Sequence, residues 1–118
     1  MDDCVFCKIA SGEIPADVVY EDDLVIAFKD LAPQAPVHVL VIPKAHYASV
    51  TDGVPDETLK AMFDAVAKVA EATGITDSGF RCIANTGADA GQTVGHAHVH
   101  VLGGAPLGEE LLACRKEA

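Results

Sequence analysis

The chain has 118 residues, enough for one domain and too few for a multi-domain machine. Half of the residues are hydrophobic and the mean hydropathy is positive, which supplies a packed core and argues against disorder. Eighteen Asp and Glu against eight Lys and Arg leave a formal charge of −10, a balance that repels nucleic-acid backbones and anionic membranes.

No apolar run approaches the roughly 18 to 20 residues of a membrane span, and Met1-Asp2-Asp3 is acidic where a secretory signal would be basic. The expectation is a cytoplasmic protein. Four cysteines, Cys4, Cys7, Cys82 and Cys114, do not make a secreted disulfide framework in a chain with this much core material. Cys4 and Cys7 form a C-x-x-C, but only three residues precede it, whereas a thioredoxin-like motif needs a strand before it. That leaves metal binding or an incidental role.

In chain order, Cys4 to Ala10 forms a short helix closed by Ser11-Gly12. Val18 to Glu21 and Leu24 to Lys29 are β-prone runs around the turn pair Asp22-Asp23, and they predict a hairpin. Pro33 and Pro36 interrupt the ladder, and Val37 to Ile42 forms a third strand stopped by Pro43. Pro55 to Thr73 is the one long helix, with Leu59, Met62, Phe63, Val66, Val69 and Ala70 on its buried face and Gly74 at its cap. Phe80 to Asn85 is a fourth strand, Thr86 to Gly95 a loop, and His96 to Leu102 a fifth strand. The arrangement predicts an α+β fold: a five-stranded, mainly antiparallel sheet with one long and one short helix.

Three of the five histidines form His96-Ala97-His98-Val99-His100. On a strand, alternation would put all three imidazoles on one face about 6.6 Å apart. Packing alone does not account for a face made of histidine. His38 lies on the third strand and His46 just past it, within reach of the triplet if the strands are adjacent. A His-x-His plus a third histidine could hold a catalytic zinc. A cupin-like site fails, because Leu102 and Gly103 stand where its carboxylate belongs. The third chemistry is a nucleophilic histidine beside a loop that binds an anion through backbone N–H groups.

The loop favours that third chemistry. Its glycines allow close backbone approach, and Gln92 and Thr93 add polar side chains. No Lys or Arg lies between Arg81 and Arg115, so a polyphosphate clamp is missing and a nucleoside monophosphate derivative is the more natural ligand.

With these residues in view, the chain resembles the histidine-triad (HIT) superfamily, through the H-φ-H-φ-H-φ-φ form of His96 to Leu102. Ile14-Pro15-Ala16, Tyr20-Glu21-Asp22-Asp23, Pro33 to His38, Val41-Ile42-Pro43-Lys44, Gly91-Gln92-Thr93-Val94 and Gly103-Gly104 look like its HINT branch, the nucleoside phosphoramidases. The resemblance covers nearly the whole chain and implies one HIT domain over residues 1–118.

It implies that His98 is a nucleophile forming a covalent nucleotidyl-histidine, which water then hydrolyses. His100 would contact the phosphate and leaving group, and His38 would hydrogen-bond within the network. Asn85, Gly91, Gln92 and Thr93 match phosphate-binding positions, and Asp30 the carboxylate that accepts the ribose hydroxyls. Phe6, Ile9, Leu31 and Leu40 correspond to an apolar slot for the base. The substrates implied are purine nucleoside 5′-phosphoramidates or related nucleotidyl conjugates. Dinucleoside polyphosphate hydrolysis and nucleotide-binding regulation with little turnover are the alternatives.

The resemblance also implies a structural Zn²⁺ on Cys4, Cys7, His46 and His96, and a homodimer. Cys82 and Cys114 have no place in that metal set and are expected to behave as small apolar residues. The chain departs from the animal-type pattern in having no tryptophan-containing tail.

Overall fold

In the computed structural model, residues 3–111 are described, and Cys114 lies outside that range. A short helix α1 (Val5–Ala10) is followed by strands β1 (Val18–Glu21), β2 (Val25–Lys29) and β3 (Val37–Pro43). The long helix α2 (Asp56–Thr73) comes next, then β4 (Phe80–Ile83), a 3₁₀ turn (Ala88–Ala90) and β5 (Val99–Gly103). The strands form one antiparallel sheet in the order β1-β2-β3-β5-β4. This is the α+β architecture expected from the sequence.

Side-chain alternation divides the sheet into two faces. Val25 and Ala27 of β2, Val39 and Val41 of β3, and Val99 and Val101 of β5 point to α2, meeting Met62, Ala65, Val66, Val69 and Ala70. The alternate residues Ile26, Phe28, Leu40 and Ile42 face the other way and are covered by Phe6 of α1. The first face is the main core. The second carries the histidines.

The helix termini follow local chemistry. Pro55 is the N-cap of α2, with Asp56 and Glu57 in its first turn, and Gly74 closes it at φ 74°. The buried stripe of α2 includes Thr58 and Ala65, whereas Phe63, assigned to it from the sequence, is 55% exposed. Cys4 caps α1, its sulfur accepting from the Cys7 N–H at 3.4 Å.

The last strands are shorter than expected. The β3–β5 ladder stops at the pair Val41–Val99, leaving His96, Ala97 and His98 ahead of it. Pro43 has no N–H to extend the pairing, and its carbonyl is taken by the His96 ring at 2.8 Å. The Ala97 N–H turns instead to the Tyr47 carbonyl at 2.7 Å. β4 ends at Ile83, opposite His100, so Asn85 lies in the following loop. At the end of β5, Gly103 lies close under Ile75: a Cβ there would stand 2.9 Å from the tip of the Ile75 side chain, which would have to move.

Candidate active site and metal centre

The sheet brings all five histidines to one region. Register places Leu40 opposite His100 and His38 opposite Leu102, so the β3 and β5 side chains share the face away from α2. His98 and His100 meet with ring centroids 5.1 Å apart, and His38 and His100 at 5.2 Å. His96 turns to His46, at 5.0 Å. The triplet therefore serves two centres.

The first centre is a hydrogen-bonded chain whose partners fix the tautomers. The Gln34 N–H donates to His38 Nδ1 at 3.0 Å, so the neutral His38 ring carries its proton on Nε2. That Nε2–H donates to His100 Nδ1 at 2.9 Å, which leaves the His100 proton on Nε2. His98 Nδ1 donates to the His96 carbonyl at 2.7 Å, so its Nε2 keeps a bare lone pair. A buried imidazole of that tautomer presents its Nε2 lone pair in a fixed direction. Desolvation, then the neighbouring His98 and His38, push His100 down to about 4, so it is neutral at pH 7.

Asp30 joins this chain from the end of β2. One carboxylate oxygen accepts the Ala32 N–H at 2.8 Å, and the other lies 3.6 Å from His38 Nε2. Asp30, His38 and His100 are close enough to hold a cation on distance alone. The tautomer argues otherwise, because a metal would need His38 Nε2 bare while Nδ1 is already engaged as an acceptor. Relay, not coordination, fits this trio.

The second centre gathers Cys4, Cys7, His46 and His96, whose ligand atoms all lie within 4.8 Å of one another. Cys4 Sγ is 3.3 Å from His96 Nδ1, and Cys7 Sγ is 3.2 Å from His46 Nδ1 and 3.5 Å from His96 Nδ1. Donation from His96 Nε2–H to the Pro43 carbonyl leaves Nδ1 bare and aimed at the sulfurs. Burial lowers the His96 pKa, which keeps the ring neutral as a ligand must be. Burial, then Cys4 beside it, raises the Cys7 thiol, as expected for paired sulfurs that need a cation before both become thiolates. These four residues can bind a metal ion.

The remaining sequence assignments divide. Phe6 is buried and Leu40 lies beside it in the same cluster, with Ile9 half-buried against them. Leu31 does not join them: it is fully exposed on the turn after Asp30. Gly91 adopts φ 82°, and its N–H donates to the Ala88 carbonyl. Half-buried Gln92 spends its side chain on the protein's own backbone, accepting from the Gly87 N–H at 2.9 Å and donating to Ala48 and Val94 carbonyls at 2.7 and 3.0 Å. It braces the loop. Thr93 is exposed and borders a cavity of about 440 Å³ with Cys4, His46 and Gly95, while Asn85 is half-buried. Among the described residues, no hydrogen bond joins Asn85 or Thr93 to a histidine. Cys82, expected to behave as a small apolar residue outside the metal set, is exposed on β4 and takes no part in the metal centre.

A backbone carbonyl accepting from the second nitrogen of His98 is what the resemblance implies, and His96 supplies it. Sequence reasoning missed the other backbone contributions, the Gln34 N–H and the carbonyls of Pro43, Tyr47 and Ala48. These depend on chain path, which side-chain identity does not specify. The turn residues around Gln34 were the one available signal.

Comparison with known proteins agrees with this geometry. The chain is 46% identical over 112 residues to a purine nucleoside phosphoramidase of Escherichia coli K12, covering 93% of this chain and 94% of that one. It is 48% identical over 105 residues to protein HitA of Neisseria gonorrhoeae, covering 87% and 97%. Among solved structures, a HIT family hydrolase from Clostridium thermocellum superposes with a TM-score of 0.90 at 48% identity, covering 95% and 99%. The HIT domain family matches residues 11–107, and with the triad, the sheet and these relatives in agreement, the chain belongs to the HIT family.

Proposed function

We propose that the protein is a HINT-branch hydrolase of purine nucleoside 5′-phosphoramidates or related nucleotidyl conjugates, acting by double displacement through His98. The observation that carries this reading is the 2.7 Å bond from His98 Nδ1 to the His96 carbonyl, which leaves Nε2 free to attack. The substrate class follows from likeness to a relative named a purine nucleoside phosphoramidase.

In the first step, His98 Nε2 forms a bond to phosphorus as the P–N bond to the leaving group breaks, and the departing nitrogen takes a proton from solvent. The His98 ring gains positive charge, which the carbonyl dipole of His96 stabilises through Nδ1–H. His100 Nε2–H is available to a phosphoryl oxygen, because His38 occupies its other nitrogen. Water then attacks phosphorus, the P–Nε2 bond breaks, a proton leaves to solvent, and neutral His98 returns with a nucleoside monophosphate released. Asn85, Gly91 and Thr93 frame the phosphate end of a loop that Gln92 braces, and Phe6, Ile9 and Leu40 the base end, with Asp30 taking the ribose hydroxyls and Leu31 left outside the slot on the exposed turn.

We assign zinc to the four-residue centre. A tetrahedral zinc with Zn–S of about 2.3 Å and Zn–N of about 2.0 to 2.1 Å gives S···N edges of about 3.6 Å. The sulfur–nitrogen separations of 3.2 to 3.5 Å are close to that edge. Two cysteines and two histidines close the shell, so the ion would anchor α1 to the sheet and leave no ligand position for substrate. Paired thiols of this kind suit a reducing compartment, in keeping with a cytoplasmic protein. A homodimer is supported by the edge strand β4 and by the exposed Phe63, Phe80 and Ile83.

The test is turnover. His98→Ala should fold and lose hydrolysis of adenosine 5′-phosphoramidate by at least about 10³-fold. Turnover by the folded variant at the parent rate would refute the proposal.

A further inference from the structure

Phe6 lies between the two metal-ligand cysteines in sequence, and its ring lies against both histidine centres in space. Its centroid is 5.9 Å from that of His96, at 73°, and 5.3 Å from that of His98, at 90°. On its other side it meets Phe28 edge-on at 5.6 Å. The ring is only 7% exposed. These contacts belong to the protein itself, apart from any role in a base slot.

Two physical links therefore run from the metal centre to His98. One is covalent and local: His96 supplies an imidazole to the metal centre and a carbonyl to His98 Nδ1. The other passes through α1, where Cys4 and Cys7 fix the only turn and a half of helix that holds Phe6 over His98. Six residues of helix are far too few to hold their place by propensity, so the position of α1 depends on its attachments. Hydrogen bonding at Nδ1 fixes the tautomer of His98 but leaves the ring free to rock about that bond. The Phe6 ring, perpendicular to that of His98, stands in the way of this motion on one side, as His100 does on another.

We propose that Phe6 is a positioning residue that transmits the order of the Cys4-Cys7-His46-His96 metal centre to the ring of His98. The inference rests on the assignment of His98 as nucleophile. It separates Phe6 from a residue that serves the base alone. Loss of a base contact weakens ground state and transition state alike and raises KM with kcat unchanged, whereas loss of aim lowers kcat. A reacting nitrogen displaced by about 1 Å can lose on the order of 100-fold in rate.

The experiment compares wild type, Phe6→Ala, Phe6→Leu and His98→Ala, all loaded with zinc and checked for metal content. Adenosine 5′-phosphoramidate turnover and the imidazole N–H resonance of His98, identified by its loss in His98→Ala, are recorded for each. Phe6→Ala should keep its metal, lose kcat by about 10-fold or more, and broaden or lose the His98 resonance. Phe6→Leu, which restores apolar volume, should recover most of kcat and the resonance. Unchanged kcat in metal-loaded Phe6→Ala, with only KM raised, overturns the inference. If Phe6→Ala does not fold, removal of zinc from wild type by a chelator supplies the readout. A folded, zinc-free protein should then lose the His98 resonance, and an unchanged resonance overturns the inference. Full activity in His98→Ala would instead reject the nucleophile assignment, a result distinct from any behaviour of Phe6.

Discussion

The imidazole of His100 is held among His98, His38 and the β4 edge with too little water to carry charge easily, which accounts for its pKa of about 4. The unfolded chain would protonate the same residue near 6.5. Below that value the unfolded state binds the proton first, so this residue's contribution to stability falls as pH drops from about 6.5 towards 4 and is constant above. Denaturant midpoints measured from pH 7 to pH 4.5 should fall more steeply for wild type than for His100→Gln. Parallel curves would show that His100 does not titrate as described. Much of this residue-scale chemistry was legible, since the H-x-H-x-H spacing and His38 are plain in the sequence. The division of labour came from the family resemblance, which sets His96 with Cys4, Cys7 and His46; spacing alone does not show it, because His96 leaves the row where Pro43 ends the ladder and offers a bare carbonyl to its ring.

Among the elements, the hairpin, the third strand and the long helix were readable because their apolar periods agree with their lengths. Helix α2 shows where pattern fails. Counting large side chains placed Phe63 on the buried stripe, yet the sheet accepts the narrower row Thr58, Met62, Ala65, Val66 and Val69, in which an alanine fills the central position and a threonine the N-terminal one. Small residues are invisible to a hydrophobicity count and decisive for close approach. Met62 is fully buried, so Met62→Ala should lower unfolding free energy by about 2 to 5 kcal/mol. Phe63→Ser, at an exposed position, should cost the protomer no more than about 0.5 kcal/mol in its own folding. Urea melts at concentrations low enough to suppress self-association check both values, and equal losses would contradict the stated face.

At the level of the whole molecule, the net charge of −10 is compatible with the proposed phosphate site, because the proposal assigns recognition to uncharged groups: imidazoles, backbone N–H groups and loop side chains. Such a site should respond weakly to salt, unlike a surface that gathers nucleic acid through counterion release. The contact of Cys4 with His96 brings the N-terminal helix to the segment leading into β5, a long-range closure between residues 92 positions apart that a bound metal would lock. Protein purified without chelator should contain close to one zinc per chain, and Cys4→Ser should lose most of it. Less than half an equivalent in the parent protein would count against zinc.

The central claim is that phosphorus is transferred to His98 Nε2, and its most direct test is capture of that species. Protein mixed with excess adenosine 5′-phosphoramidate is quenched within one turnover into alkaline denaturant, which spares the acid-labile P–N bond, and is mapped by peptide mass. The account predicts an adenylyl adduct on the peptide carrying His98, absent from His98→Ala. Rapid turnover with no adduct at any time point, or an adduct on a different residue, would contradict it.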